Sequence, residues 1–356
     1  MDEEYISGEL KVMPQMVKNN YLRIIKTLIK EERFSSKKDK VDSLIKQGNI
    51  DLFLETILRE EKELFLETKF NYTLIKGFKY GALFQLDDDR EIQDILAQIS
   101  DLAQNNSEVN VVQTEKMVIY SSNLNGMKIR EDVERVKSTY SVAVKFWQMS
   151  PKDKFVEIDV PNIGAAFRLN KPTFFTDQVD QIVSKFQDEY LISLDPIDLS
   201  EVIYAIKDRN KSNPAKDIPR ASAQKMILNS GAEATLDSNN TEEIILPILG
   251  ELKILIERNS ELFDKSPEIK ELIDDFIQDT EVLSYLPWIA LTWNNIVKSK
   301  RMKVKFILDS SNEYTLLNYY SHTNGREGLN DVVESILKEY CTIRNPEEEK
   351  ALPAIG

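Results

Sequence analysis

The sequence predicts an α+β fold: a helical N-terminal module, a small, mostly antiparallel central sheet with helices, and a C-terminal helical region carrying a β-hairpin. Three observations predict it. Apolar residues recur at helical spacing through the first sixty residues and again beyond 240. Runs such as Tyr140, Val142, Val144 and Phe146 alternate with polar or small neighbours, the period of a strand. Near the C-terminus Val304, Phe306 and Leu308 alternate with Lys303, Lys305 and Ile307. The corresponding boundaries are a helical module over 1–63, an α+β domain over 64–190, a loop-rich connector over 191–240 and a helical region with a hairpin over 241–356.

In the first segment, "YLRIIKTLIK" sets Leu22, Ile25, Leu28 and Ile29 on one helix face, and "KVDSLIKQ" and "IDLFLETILREE" follow as two more short helices. "ELFLETKFNYTLIKGFKYGALFQL" is rich in Phe, Leu, Tyr and Thr with Gly77 at a turn, which predicts a hairpin. The order helix, helix, helix, hairpin is similar to that of winged-helix modules, and "SSKKDKVDSLIKQ" resembles the loop-to-helix part of a SAP-type DNA-binding hairpin. The third helix departs from that pattern, because Asp51, Glu55, Glu60, Glu61 and Glu63 stand where a recognition helix carries base.

Farther on, "DDDREIQDILAQISDL" predicts an amphipathic helix with acid at its start. "VNVVQTEKMVIYSS", "TYSVAVKFW", "KFVEIDV" and "GAAFRLN" predict strands, and "TFFTDQVDQIVSKFQDEY" a closing helix. Pro196, Pro214, Pro219 and Gly231 punctuate the connector. Two acidic helices follow it. The second opens with Ser266 as cap and Pro267 in first position, and sets Ile269, Leu272, Ile273, Phe276 and Ile277 on one stripe. "LPWIALTWNNIVKSK" predicts a further, mostly apolar helix, so that Lys298, Lys300 and Arg301 fall at a helix end, where cations complement the dipole. The final strand then returns through "NEYTLLNYYS".

Composition narrows the function. The chain has 356 residues and a formal net charge of −14, with 42% hydrophobic and 30% charged residues, the proportions of a folded globular protein. No apolar run approaches the roughly 18–20 residues of a membrane helix, and the start "MDEEYISGEL" lacks the order of a signal peptide. The expectation is a cytoplasmic protein with no membrane partner. The one cysteine, Cys341, cannot form an intramolecular disulfide. The one histidine, His322, lies in an Asn-Gly turn region and reads as an exposed loop residue. A single histidine excludes two-His metal sites and, with a single cysteine, Cys/His zinc sites. No Walker A loop, Rossmann turn or Gly-flanked nucleophilic serine is present, and 11 glycines are few for such cradles.

Two constellations remain. Carboxylates and a lysine on strands suit a Mg²⁺-dependent nuclease, which needs no histidine. Glu67 and Lys69 have the Glu-x-Lys spacing of restriction-like nucleases, and Glu157 and Asp159 share a strand face; the alternative reading of both pairs is solvated strand charge. The second constellation is basic. Between Glu281 and Asp309 there is no acidic residue, while Lys298, Lys300, Arg301, Lys303 and Lys305 cluster there; Lys37, Lys38 and Lys40, and Arg209 and Lys211, belong to two further basic regions. Lysines that neutralise phosphates release counterions and can carry binding even in an acidic protein, although the same stripe can simply face the protein's own acidic residues.

The leading expectation is a non-catalytic component that binds nucleic acid, a protein partner or both through separated basic surfaces, with no cofactor and with oligomerisation left open. A role in defence against mobile DNA is consistent with the Lys-, Asn- and Ile-rich usage. One alternative is the nuclease, with Mg²⁺ as its metal. Another is an acidic DNA mimic or partner-binding inhibitor, which uses the net charge itself.

Overall fold

The computed structural model describes residues 3–104, 106, 108–129, 133–168, 171–212, 219–237, 244, 246–282, 284–296, 300–308, 312–320 and 325–345. His322, Lys298 and the 213–218 stretch lie outside them. The fold is α+β. The chain divides into two compact units: Met1–Gly81 with Gln85–Asp195 and His322–Glu327, and Ala82–Phe84 with Pro196–Ser321 and Gly328–Gly356. Among the described residues no helix is long and apolar enough to cross a membrane.

The first unit opens with α1 (Glu3–Val12), α2 (Gln15–Leu28), α3 (Lys38–Lys46), α4 (Ile50–Glu60) and α5 (Lys62–Ile75). The side chain of Asn49 starts α4 by accepting from the Asp51 and Leu52 N–H groups at 3.0 and 3.1 Å. Ile6, Leu10, Tyr21, Ile25, Leu54 and Phe65, among others, meet in one cluster. Five helices therefore precede the first strand, not three helices and a hairpin.

The expected hairpin over 63–86 is overturned. Its first half is α5, which buries Leu64, Phe65, Thr68, Lys69 and Thr73, a helical period. Thr68 and Thr73, which argued for a strand, donate their hydroxyls to the carbonyls of Leu64 and Lys69 one turn back, at 2.7 and 3.0 Å. Packing of Leu64 and Phe65 in the helical cluster overrides the β preference of the neighbours.

After α5 come β1 (Tyr80–Asp87), α6 (Ile92–Leu102), β2 (Val109–Val112), β3 (Met117–Ile129), β4 (Val133–Gln148), β5 (Lys154–Val160), α7 (Ala165–Arg168), α8 (Phe174–Glu189) and β6 (Ser193–Pro196). The strand order is β2-β3-β4-β5-β1, with β6 on β1. β2 with β3, β3 with β4 and β4 with β5 run antiparallel. Within "GAAFRLN", Ala165–Arg168 form the short helix α7 and not a strand, and its last two residues lie outside the described residues.

The second unit contains α9 (Ser200–Ser212), β7 (Arg220–Ile227), β8 (Glu233–Asp237), α10 (Pro247–Arg258), α11 (Ser260–Phe263), α12 (Pro267–Val282), β9 (Tyr285–Ile296), β10 (Lys300–Ile307) and β11 (Leu316–Tyr319). The last helix, α13 (Arg326–Arg344), gives its first two residues to the first unit and the rest to the second. Strands follow the order β11-β10-β9-β7-β8. The expected pairing of β10 with the "NEYTLLNYYS" segment is present, with Val304 opposite Tyr319 and Ile307 opposite Leu316.

The apolar segment after Pro287 is a correction: it is strand β9, not a helix. β10 pairs with one edge of β9 and β7 with the other. Leu286, Ile289, Leu291 and Trp293 are buried, so both faces are covered. A strand buried on both faces reads as an unbroken apolar run, which periodicity alone does not separate from a buried helix. Lys300 and Arg301 accordingly stand in β10 and at no helix end.

One glycine sets the distance between α1 and the sheet. A Cβ on Gly8 would lie 2.1 Å from the carbonyl oxygen of Lys137 in β4, so only a residue without a side chain allows this approach. Gly8→Ala is expected to destabilise the protein by about 1–3 kcal/mol through the forced separation, read as a lower urea midpoint. An unchanged midpoint would show that α1 does not rest on β4 in solution.

Candidate functional site

The structure separates the residues of the nuclease reading. Glu67 and Lys69 lie on α5, where positions two apart point to different sides of the helix. Arg33 donates to Glu67 at 3.4 Å. Lys69 is buried, 2.5 Å from Glu9, and also donates to Thr139.

Glu157 and Asp159 do share a face of β5, but they are buried, so the solvated-charge reading of this pair is overturned. The cause is position, because β5 has β4 on one edge and β1 on the other, and every residue of the strand is covered. The indole of Trp147 donates to Glu157 at 2.9 Å, and the buried Arg326 guanidinium donates to Asp159 at 3.3 Å. Burial, followed by the charge of Glu157, pushes the Asp159 carboxyl well above the usual range, against the opposing pull of Arg326. Among the described residues no three His, Cys, Asp or Glu side chains are grouped to hold a metal ion.

The basic residues are drawn into contacts with the protein's own side chains. Lys37 lies 2.8 Å from Glu61, and Lys40 lies 2.7 Å from Glu61 and 3.1 Å from Glu60. Arg209 grips Glu339 with both terminal nitrogens. Lys303 is 3.5 Å from Asp237 and 5.6 Å from the ring centre of Tyr320. Lys305 lies 3.9 Å from the ring centre of Trp288, and burial lowers its pKa. Lys38 and Arg301 are exposed. Lys211 belongs to α9 and Lys300 to β10; their side chains, like all of Lys298, are outside the described residues. Lys37, Lys38 and Lys40 fall in the first unit and the others in the second.

A different feature stands out in the second unit. α10 and α12 sink Leu249, Ile256 and Ile277 into one cluster with Met226, Leu246 and Leu286, and Leu252, Phe263 and Ile273 pack against it. The same helices present a second apolar set to solvent: Ile248, Ile254 and Leu255 on α10, Leu262 on α11, and Ile269, Leu272 and Phe276 on α12. Leu272 is 70% exposed, Ile248 66% and Phe276 58%, so these are not grazing exposures at the edge of a core. Ile269, Leu272 and Phe276 follow i, i+3, i+7 spacing and share a stripe.

At about 100° per residue, the five apolar positions of α12 cover about 140° of its circumference, and the cluster takes only the Ile273–Ile277 side. The stripe seen in the sequence is therefore two faces. Ile248, Ile254, Leu255 and Leu262 carried no recognised signal; the width of the α12 stripe, in a predominantly acidic segment, is the sequence feature that accompanies them.

Between Pro247 and Val282 there are ten acidic and four basic residues. Nine of the carboxylates, from Glu251 to Asp279, are exposed, and among the described residues none of the nine is held in an ion pair. The arrangement is an apolar strip with a rim of net negative charge. No known protein family matches the chain, and no curated protein matches it.

The buried acid pair makes a pH prediction. Because the folded state holds the Asp159 proton more tightly than the unfolded chain, it binds more protons, and stability falls as pH rises from about 3.9, the unfolded value, through the raised one. Asp159→Asn should flatten that fall in urea titrations between about pH 4 and 7. Parallel pH profiles for wild type and variant would show that the carboxyl is not raised.

Proposed function

We propose that the protein is a non-catalytic assembly component whose second unit docks a basic amphipathic helix of a partner protein on α10–α12. The observation that carries this reading is the exposure of Ile248, Leu255, Leu262, Ile269, Leu272 and Phe276 within a rim of unpaired carboxylates. Apolar surface of this extent is rare on a monomer without a partner. Each Leu, Ile or Phe withdrawn from water contributes about 1.5–3 kcal/mol, and the carboxylates attract lysine and arginine and set the register.

Charge complementarity selects the occupant. A second copy using the same face would set one segment of ten acidic and four basic residues against another, a net repulsion, whereas a helix with an apolar stripe and basic flanks meets both parts of the surface. Polyanion docking through the basic residues is the weaker reading, since Lys37, Lys40, Arg209 and Lys303 already face carboxylates.

The test uses a fluorescent Leu/Lys peptide of about 18 residues, five helical turns, with leucines on one face, beside a scrambled peptide of the same composition. Anisotropy should report binding of the first only, weakening with salt. Leu272→Glu with Phe276→Glu should cut affinity at least about tenfold, which is 1.4 kcal/mol, and leave the urea midpoint unchanged. Equal binding of both peptides, or an unaffected double variant, would sink the proposal. Light scattering that shows a dimer abolished by the same substitutions would assign the face to a second copy instead. Duplex DNA binding lost in Lys303→Glu would favour the polyanion reading.

A further inference from the structure

The first unit carries an open cavity of about 480 Å³ between α1, α2 and α5, the strands β3 and β4, and the turn over 161–164. That volume lies in the roughly 300–1,000 Å³ range of small-molecule sites. Its lining is divided in character. Met13, Val17, Leu124, Ile163 and Phe167 supply apolar wall, and Lys69, Lys76, Thr73, Ser138 and Thr139 supply polar wall.

The two lysines differ. Lys69 is matched, with its ammonium 2.5 Å from Glu9 and bonded to Thr139. Lys76, at the C-terminal end of α5, is not: among the described residues no carboxylate lies within ion-pair distance, and its ammonium sits over the ring of Phe78, 5.0 Å from the centroid. The charged groups that act on it are Glu9 on α1, Lys69 on α5, Asp159 on β5 and Arg326 on α13. Both carboxylates already have cations, Glu9 with Lys69 and Asp159 with Arg326. Three cations thus face two acids, and Lys76 is the surplus one. Burial pulls it down to about 7, with Lys69 and Arg326 adding to the fall and only Glu9 and Asp159 opposing it.

We propose that this cavity binds a small amphiphilic anion, a carboxylate on an apolar body, with its charged end received by Lys76 and its body against Met13, Val17 and Leu124. One unmatched ammonium suits one negative charge. A phosphate dianion would call for a second cation, and Lys69 is committed to Glu9. The apolar wall would leave a bare inorganic ion poorly served.

A proton follows the ligand. Only the ammonium form of Lys76 receives the carboxylate, so above pH 7 binding takes up one proton. Affinity is then expected to fall about tenfold per pH unit above that point.

Octanoate and octanol, which share a chain and differ in charge, are the probes for calorimetric titration of the full chain. Octanoate should bind with one-to-one stoichiometry, octanol at least about tenfold more weakly, a difference of 1.4 kcal/mol, and octanoate affinity should drop between pH 7 and 9. Lys76→Met should lose octanoate, while Lys76→Arg should keep it without the pH dependence, since arginine does not titrate there. Circular dichroism confirms that each variant folds, and if Lys76→Met does not, the flat pH profile of Lys76→Arg decides. Leu272→Glu with Phe276→Glu should bind octanoate normally, which separates this site from the helical face. Equal affinity for octanol, octanoate binding that survives Lys76→Met, inorganic phosphate binding more tightly than octanoate, or no octanoate binding at millimolar concentration would each overturn the proposal.

Discussion

Glu9 holds three elements of the first unit at one point: its carboxylate accepts from Lys69 on α5 and from Thr139 on β4 while its own backbone belongs to α1. A lysine and a glutamate withdrawn from water are tolerable only when each satisfies the other, and removing one partner leaves an uncompensated buried charge costing about 3–5 kcal/mol. Gly8 makes the meeting geometrically available by letting α1 settle against Lys137. The wall between the helices and the sheet, and with it the cavity that Lys76 enters, follows from this clasp.

Charge is distributed by the same rule. An acidic protein with 46 basic and 60 acidic side chains has few cations to spare, and much of the first unit's supply is spent internally, on Glu9, Glu61 and Asp159. The uncompensated acid collects on α10–α12. A basic cluster in a sequence draws attention because it is locally unusual, yet Lys303 and Lys305 have neighbours in space that sequence adjacency hides: Asp237 and Trp288.

Helices with a clean 3.6-residue pattern were legible in the sequence, among them α2, α4 and α8, as was the alternating pair β10 and β11. Two elements were not, for opposite reasons. α5 carries strand-prone threonines and aromatics that tertiary packing recruits into a helix. β9 is an interior strand, paired on both edges and buried on both faces, so its apolar run shows no alternation. Site chemistry was less legible than fold. That Glu157 and Asp159 share a face follows from strand alternation, but their burial depends on the neighbours of β5. Lys76 carries no sequence signal, since its state depends on which carboxylates other cations have already taken.

The pairing of Asp159 with Arg326 spans 167 positions of chain. Synthesis runs from one end to the other, so the carboxylate leaves the ribosome long before the guanidinium that answers it exists. Through that interval β5 must either keep Asp159 protonated beside Glu157 or stay unsheltered. The first unit is discontinuous in sequence, closed by a few residues near 325, and a fragment ending at Asp195 would lack its last buried cation. Completion of the N-terminal half is thus timed by the C-terminal half, which makes the order of translation part of how this fold assembles.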